Sequence, residues 1–236
     1  LLQDSVVRKI DSITSYQLAF KAGDSLYAEN KFNEALDYYI SAQRIYPTYQ
    51  VKIEIQNTNN EITFLNHYNA GDRFFKNKSY ENAKKEYENA RKIYPNHIEL
   101  NQKLKDVEEI IDKINKNNKE YDRLTRLGSQ NAQNGDFDNA LVNYSKALTL
   151  RLGDSYITTK INQIKKYKEW IKKGDASKSR NIFNVALDQY KEAQKLFNSY
   201  EVQRKIDETE GEIIWGTLVN EGDKLKSNAD KLKSNE

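Results

Sequence analysis

Residues 71–95, GDRFFKNKSYENAKKEYENARKIYP, carry the spacing that decides the fold of this chain. Ala83 follows Gly71 by 12 residues, Tyr87 by 16 and Ala90 by 19. Separations of three and four residues place these later side chains on one stripe of a helix. The NKS tripeptide before them is rich in residues that favour turns. The stretch therefore predicts two helices joined by a short turn.

The same spacing occurs four times along the chain, and its anchoring glycines are separated by 48, 57 and 46 residues. The four sets are Gly23, Ala35, Tyr39 and Ala42; Gly71, Ala83, Tyr87 and Ala90; Gly128, Ala140, Tyr144 and Ala147; and Gly174, Ala186, Tyr190 and Ala193. A fifth Gly-Asp pair at Gly222 is not followed by the rest of the pattern. Internal periods of this order are typical of architectures built from stacked repeats.

This pattern resembles the tetratricopeptide repeat (TPR), in which a first helix with small residues precedes a second with Ala, an aromatic residue, Ala and a closing Pro. Pro47 and Pro95 close the first two sets, whereas the last two lack a proline. Trp170 stands where the family pattern has its tryptophan, four residues before Gly174. The resemblance covers about residues 16–199. It implies an all-α fold, a right-handed α-solenoid of antiparallel helix pairs.

The repeats of this chain are longer than the roughly 34 residues of an ordinary TPR. About 14 extra residues precede each first helix, and they contain no proline. As a helix they would be about 21 Å long. We predict that each first helix is extended backwards by this segment, and a separate short third helix is the alternative. The longer and highly charged segment from Ile98 to Glu120 is expected to project from the body.

The domain prediction is a single repeat array. Its repeats one to four are placed at about 16–63, 64–120, 121–166 and 167–214, after a connector at 1–15 and before the start of a fifth repeat at 215–236. We interpret the array as part of a longer protein. Apolar side chains near its two ends are then expected to be exposed, namely Val7, Ile10, Leu218 and Leu225. Exposed ends of this kind would allow copies of the chain to associate end to end.

The recurring tyrosine of each repeat is predicted to be a core residue. It stands four residues after a small Ala, which places it at the interface between the paired helices. The glycine of the first helix allows the two backbones to approach closely. On this interpretation, Gly23 faces Ala35 and Ala42 of the second helix.

The composition excludes several kinds of functional site. The 236 residues contain no Cys, which excludes disulfides, thiolate metal sites and thiol catalysis. Two histidines, His67 and His97, are too few for a His-based metal centre. Gly-x-Ser-x-Gly, Gly-Lys-Ser/Thr and Gly-x-Gly-x-x-Gly are all absent from the sequence. We therefore expect no enzymatic activity, no cofactor and no metal.

Charge and hydropathy limit the partners. The chain has 38 Lys and Arg against 35 Asp and Glu, a net charge of +3. RNA binding through basic outer surfaces is therefore the weakest alternative function. No apolar run is long enough for insertion into a membrane. The sequence does not assign a cellular compartment.

The TPR resemblance also implies a binding groove. Side chains three residues before, one after and four after each glycine are expected to face a concave surface. In the first two repeats these are Phe20, Asp24, Tyr27, Tyr68, Asp72 and Phe75. The aromatic rings would anchor apolar side chains of a partner, and the carboxylates would pair with its Lys or Arg. The alternative is that the rings pack against the extended helices while the carboxylates only solvate the groove.

The leading hypothesis is a non-catalytic scaffold that presents this groove to a peptide or helix of a partner protein. The alternative is a structural spacer or self-associating array without a discrete ligand. A clamp for the C-terminal carboxylate of chaperones is excluded, because TPR domains of that type need Lys and Asn in the groove. Phe20 and Tyr68 stand in place of the lysines, and Asp24 and Asp72 in place of the asparagines.

Overall fold

The computed structural model describes residues 2–233, and all regular structure in that range is α-helical. The helices are α1 (Leu2–Ala28), α2 (Phe32–Ile45), α3 (Tyr49–Lys76), α4 (Tyr80–Ile93), α5 (Ile98–Gln133), α6 (Phe137–Leu150), α7 (Ser155–Lys178), α8 (Phe183–Leu196) and α9 (Tyr200–Lys233). The all-α prediction is therefore confirmed for the described residues. The first residue of the predicted leading connector and the last three of the predicted fifth repeat lie outside them.

Long helices of 24–36 residues alternate with short helices of 14 residues. Each predicted connector continues into the next glycine-bearing helix without a break. Four of the long helices begin at a side chain that accepts a hydrogen bond from a backbone N–H of the first turn, at 3.0–3.3 Å. The accepting residues are Thr48, His97, Asp154 and Ser199. The prediction of an extended first helix is therefore correct, and residues 2–233 contain no separate third helix.

The turns from long to short helices share one backbone feature. The residue seven positions after each glycine has a positive φ of 58–79°. These residues are Asn30, Lys78, Gly135 and Asn181. Gly and Asn adopt this left-handed conformation readily, so three of the four positions suit their residue type. A single left-handed residue at a fixed place reverses the chain in the same way in every repeat.

Packing divides the described chain into two compact parts, one ending at Ile114 and one beginning at Asn115. In the N-terminal part, α2 packs between α1 and α3, and α4 packs against α3 and the first turns of α5. In the C-terminal part, a single core joins α6, α7 and α8 with the end of α5 and the start of α9. Consecutive helices therefore pack side by side within each part, as expected for a helical repeat.

The expectation that the segment from Ile98 to Glu120 projects from the body is wrong for its first three turns. Leu100, Leu104 and Val107 are buried against α4. Their separations of four and three residues form an apolar stripe that the high charge of the segment obscures. Only residues 112–119 of this segment are exposed throughout.

Each repeat is held together by a glycine and a tyrosine ring. A Cβ added to any of the four anchoring glycines would lie 2.3–2.7 Å from the nearest ring atom of the tyrosine 16 residues later. These tyrosines are 2% exposed or less, which confirms that Tyr39, Tyr87, Tyr144 and Tyr190 are core residues. The expectation that Gly23 faces two alanines needs correction, because it faces the ring of Tyr39. The space of the missing Cβ is filled by the phenol.

The predicted exposure of apolar residues near the two ends is confirmed. Val7 and Ile10 on α1 are 52% and 56% exposed, and Leu218 and Leu225 on α9 are 54% and 71% exposed. Gly222 lies on α9 at the position of the anchoring glycines, but no atom lies within 4 Å of a Cβ built on it. The pattern of a first helix thus continues along α9 without a tyrosine against its glycine.

Candidate functional site

We call the positions three before, one after and four after each anchoring glycine the groove-face positions. In repeats one and two their aromatic side chains are half-buried, and each contacts another ring. The contacts are Phe20 with Tyr16 and Tyr39, Tyr27 with Phe32, Tyr68 with Phe64 and Tyr87, and Phe75 with Tyr80, at centroid distances of 5.0–6.2 Å. Part of every ring is therefore used inside its own repeat, and part remains accessible.

The carboxylate after each glycine is held by the core tyrosine. Tyr39 Oη donates to Asp24 Oδ1 (2.8 Å), and Tyr87 Oη donates to Asp72 Oδ1 (2.6 Å). Burial, and then the hydrogen bond to the carboxylate, raise the pKa of both phenols. The phenol therefore stays a donor and fixes the position of the acid.

The same arrangement recurs in the other two repeats. Tyr190 Oη donates to Asp175 Oδ1 at 2.7 Å. In repeat three the acid is replaced by Ser129, whose hydroxyl lies 3.0 Å from Tyr144 Oη. The residue after the glycine is thus an oriented polar group in all four repeats, and an acid in three.

A third residue comes from the first turns of the following long helix. It stands three positions after the first buried apolar residue of that helix. The four residues at this place, which we call the cross-helix position, are Glu54, Lys103, Lys160 and Lys205. Sequence reasoning missed their role, although aligning Val51, Leu100, Ile157 and Val202 would have put them in one register.

In repeat two the cross-helix lysine neutralises the acid. Lys103 Nζ donates to both oxygens of Asp72 at 2.7 and 2.9 Å and lies 4.3 Å above the ring centroid of Tyr68. Burial alone would raise the pKa of Asp72, but the hydrogen bonds from Lys103 and Tyr87 outweigh it and lower the pKa. Burial alone would lower the pKa of Lys103, but Asp72 and Tyr68 raise it. Asp72 therefore already has a cation from its own chain.

Repeat four repeats this ion pair, since Lys205 Nζ lies 2.6 Å from Asp175 Oδ1. Repeat three has the lysine without the acid. Its Lys160 Nζ lies 5.5 Å from the ring centroid of Tyr156 and has Ser129, not Asp, at the matching position.

Repeat one has the acid without the lysine. Asp24 is exposed, and Glu54 occupies the cross-helix position. Glu54 contributes to the raised pKa of Tyr39 and Tyr27, after burial and other carboxylates, so its charge acts on this face. Glu61, which accepts from Tyr94 Oη at 2.6 Å, adds a third carboxylate beside Tyr27. Among the described side chains, no Lys or Arg forms an ion pair with any of the three.

A second recurring contact fixes where each following helix begins. An aromatic residue stands seven positions before every anchoring glycine: Tyr16, Phe64, Tyr121 and Tyr167. Three of their hydroxyls bond the residue that precedes the following long helix, at 2.7–2.9 Å to Thr48, Asp154 and Ser199, and Phe64 packs 5.0 Å from His97. This contact sets the register that brings the cross-helix position to the groove face. Sequence reasoning did not identify these rings, although their constant offset was visible.

A cavity of about 600 Å³ lies away from the groove-face positions. It is between the first turns of α1 and the end of α2, where Arg8, Ile13, Ile45 and Tyr46 line it. Within residues 2–233, no group of three or more His, Cys, Asp or Glu side chains could hold a metal ion. None of the helices in that range combines the length and apolarity needed to cross a membrane.

Comparison with known proteins adds no family assignment. No protein-family model matches the chain, and no curated protein is significantly similar to it in sequence.

Proposed function

We propose that this chain is a TPR-type right-handed α-solenoid that acts as a non-catalytic protein-interaction scaffold. Its groove face would receive an extended segment or a helix of a partner protein. The observation that carries the proposal is the carboxylate after the glycine, which a buried tyrosine holds beside a partly exposed ring in repeats one and two.

Two physical arguments support this function. Aromatic side chains dominate the free energy of many protein interfaces, and Phe20, Tyr27, Tyr68 and Phe75 are half-buried rather than fully packed. A carboxylate already oriented by a phenol loses little conformational entropy when a partner binds. The face therefore offers preorganised contacts on rigid helices rather than on loops.

Selection from a display library of random peptides tests the proposal. Peptides selected on the wild-type chain should bind Phe20→Ala or Phe75→Ala more weakly by about 2 kcal/mol, the loss expected for an aromatic anchor. Tyr49→Ala is the matched control, because Tyr49 is an aromatic residue that is 81% exposed outside the groove-face positions. Isothermal titration calorimetry measures the affinities, and circular dichroism checks that each variant folds. Unchanged affinity for both phenylalanine variants would contradict the proposal.

A specific observation favours self-association as a second candidate function. Ile214, Trp215 and Leu218 on α9 are 54–66% exposed and recur at helical spacing. A face of this kind can pack against a second copy. Sedimentation equilibrium of the wild-type chain against Trp215→Glu tests it, and a concentration-independent monomer mass for the wild type would contradict it.

A further inference from the structure

We propose that repeat one seats a lysine or arginine side chain of the partner, between the ring of Phe20 and the carboxylates of Asp24 and Glu54. This inference rests on the proposed function and names the chemistry of its partner. The occupant is a basic segment of a protein, and repeat one is the only one of the four described repeats to which it applies.

Repeat two shows what a cation does at this position. Lys103 comes from the following long helix, contacts both oxygens of Asp72 and lies over the face of Tyr68. A cation held by a carboxylate and an aromatic face gains from both interactions. Its side chain is 28% exposed, so the position is open to solvent at its outer side.

Repeat one contains the ring, the acid and the core tyrosine of this seat without the cation, and Gln50 stands where repeat two has Glu99, which lies 3.6 Å from Lys103. Phe20 corresponds to Tyr68, Asp24 to Asp72 and Tyr39 to Tyr87. The hydrogen bond between phenol and acid is the same, at 2.8 Å in repeat one and 2.6 Å in repeat two. Phe20 is half-buried and Asp24 exposed, so both can be reached from solvent.

The cross-helix position carries a cation, Lys103, in repeat two and an anion, Glu54, in repeat one. Asp72, Glu99 and Lys103 sum to −1, whereas the matching Asp24, Gln50 and Glu54 sum to −2. Amide hydrogen bonds from Gln50 and Asn57 hold the Glu54 carboxylate without neutralising it. Charge complementarity therefore selects a cationic group, and Glu61 extends the acidic surface toward Tyr27 for a second basic residue of the partner.

An organic cation fits this seat better than a metal ion. A benzene ring supplies no oxygen or nitrogen ligand, whereas it attracts an ammonium or guanidinium group. Among the described residues no cluster has the ligands for a metal ion. The other repeats do not compete, because Lys103 and Lys205 fill their seats and repeat three has a lysine without an acid.

Two fluorescent libraries of short synthetic peptides provide the probe. They are identical except for a fixed central residue, Lys in one library and Glu in the other. Fluorescence anisotropy should show that the wild-type chain binds the Lys library at least about tenfold more tightly. Glu54→Lys supplies an in-chain cation and should abolish this preference. Lys103→Glu opens the same seat in repeat two and should strengthen binding of the Lys library.

Asp112→Lys is the matched control. It makes the same change of charge on an exposed residue of α5 for which no hydrogen bond or ion pair is seen among the described side chains. This variant should retain the preference for Lys. If it loses the preference as fully as Glu54→Lys does, a general charge effect replaces the specific seat and the inference is overturned.

The remaining outcomes separate this inference from the proposed function. If both libraries bind equally and Phe75→Ala weakens both, the groove binds peptides but has no cation seat, so only the inference fails. If neither library binds the folded wild-type chain, both the inference and the proposed function fail.

Discussion

Repeats one and two share the same frame, by which we mean the buried residues packed around the anchoring glycine. They carry opposite charges at the cross-helix position. In both, a tyrosine ring fills the space beside a glycine, and its hydroxyl holds the acid that follows the glycine. They differ at the cross-helix position of the following helix, which is Glu54 in repeat one and Lys103 in repeat two. The frame of a repeat and the charge of its groove face are therefore set by separate residues.

Burial explains why separate residues set the frame and the charge of the groove face. Frame residues such as Ala35 and Tyr39 are buried between paired helices, where a change of volume creates a cavity or a clash. The cross-helix residue is partly exposed, and its charge can change without disturbing that packing. The groove face can therefore vary from repeat to repeat while the fold stays the same.

The largest expected loss of stability comes from replacing the core tyrosine that the two repeats share. Tyr87→Ala and Tyr39→Ala should each lower the free energy of unfolding by about 3–5 kcal/mol, because each empties a large buried site. Urea denaturation followed by circular dichroism measures both. Tyr38→Ala is the control, since that neighbouring tyrosine is exposed and should change stability little. A loss confined to one of the two core variants would break the equivalence of the repeats.

Replacement of glycine by alanine should destabilise the chain at Gly71 and stabilise it at Gly222. Gly71→Ala puts a Cβ 2.4 Å from the ring of Tyr87, and overpacking of this kind costs about 1–3 kcal/mol. Gly222→Ala has the same place in the repeat pattern but meets no atom within 4 Å, so the higher helix propensity of Ala should stabilise by up to about 1 kcal/mol. Thermal unfolding measures both changes. A loss at Gly222 equal to that at Gly71 would show that the tyrosine is not the cause.

The stability of the chain at acid pH should depend on the ion pair of Asp72 in repeat two. Its pKa is lowered in the folded chain. The stability that ionised Asp72 contributes is therefore present above its unfolded pKa of about 3.9 and is lost as the pH falls through its folded pKa. The charges facing it are Lys103 and Lys76, with the hydroxyl of Tyr87. The wild type should therefore lose more stability between about pH 5 and 2 than Asp72→Asn does, by at most about 1 kcal/mol.

The check is a series of urea denaturations across that pH range. Asp112→Asn removes an exposed acid for which no ion pair is seen among the described side chains, and it should follow the wild-type curve. Parallel curves for the wild type and Asp72→Asn would contradict the role of the ion pair.

Much of the frame could be predicted from the sequence. The constant offsets from Gly to Ala and Tyr identified the helix pairs, the core tyrosines and the extended first helices. These features are local, since they depend on helical periodicity within one or two consecutive helices. The error at Leu100, Leu104 and Val107 arose because charge was given more weight than their spacing.

The charge pattern of the groove face could not be predicted in the same way. The contact between Asp72 and Lys103 joins residues 31 apart on two different long helices, and it depends on the register between them. That register is set by contacts such as Tyr16 with Thr48, which join one long helix to the residue that precedes the following long helix. Alignment on the glycines alone does not reveal it, because the segments between glycines differ in length.

Thermal unfolding of two reciprocal charge variants shows whether the cross-helix residue sets the charge of its repeat. Glu54→Lys gives repeat one the in-chain cation of repeat two, and Lys103→Glu gives repeat two the acidic pair of repeat one. Partly exposed ion pairs contribute about 0.2–1 kcal/mol, so we expect Glu54→Lys to raise the melting temperature and Lys103→Glu to lower it. Both shifts should shrink at high salt. A lower melting temperature for Glu54→Lys, or no change for Lys103→Glu, would show that the cross-helix residue does not pair with the acid of its repeat.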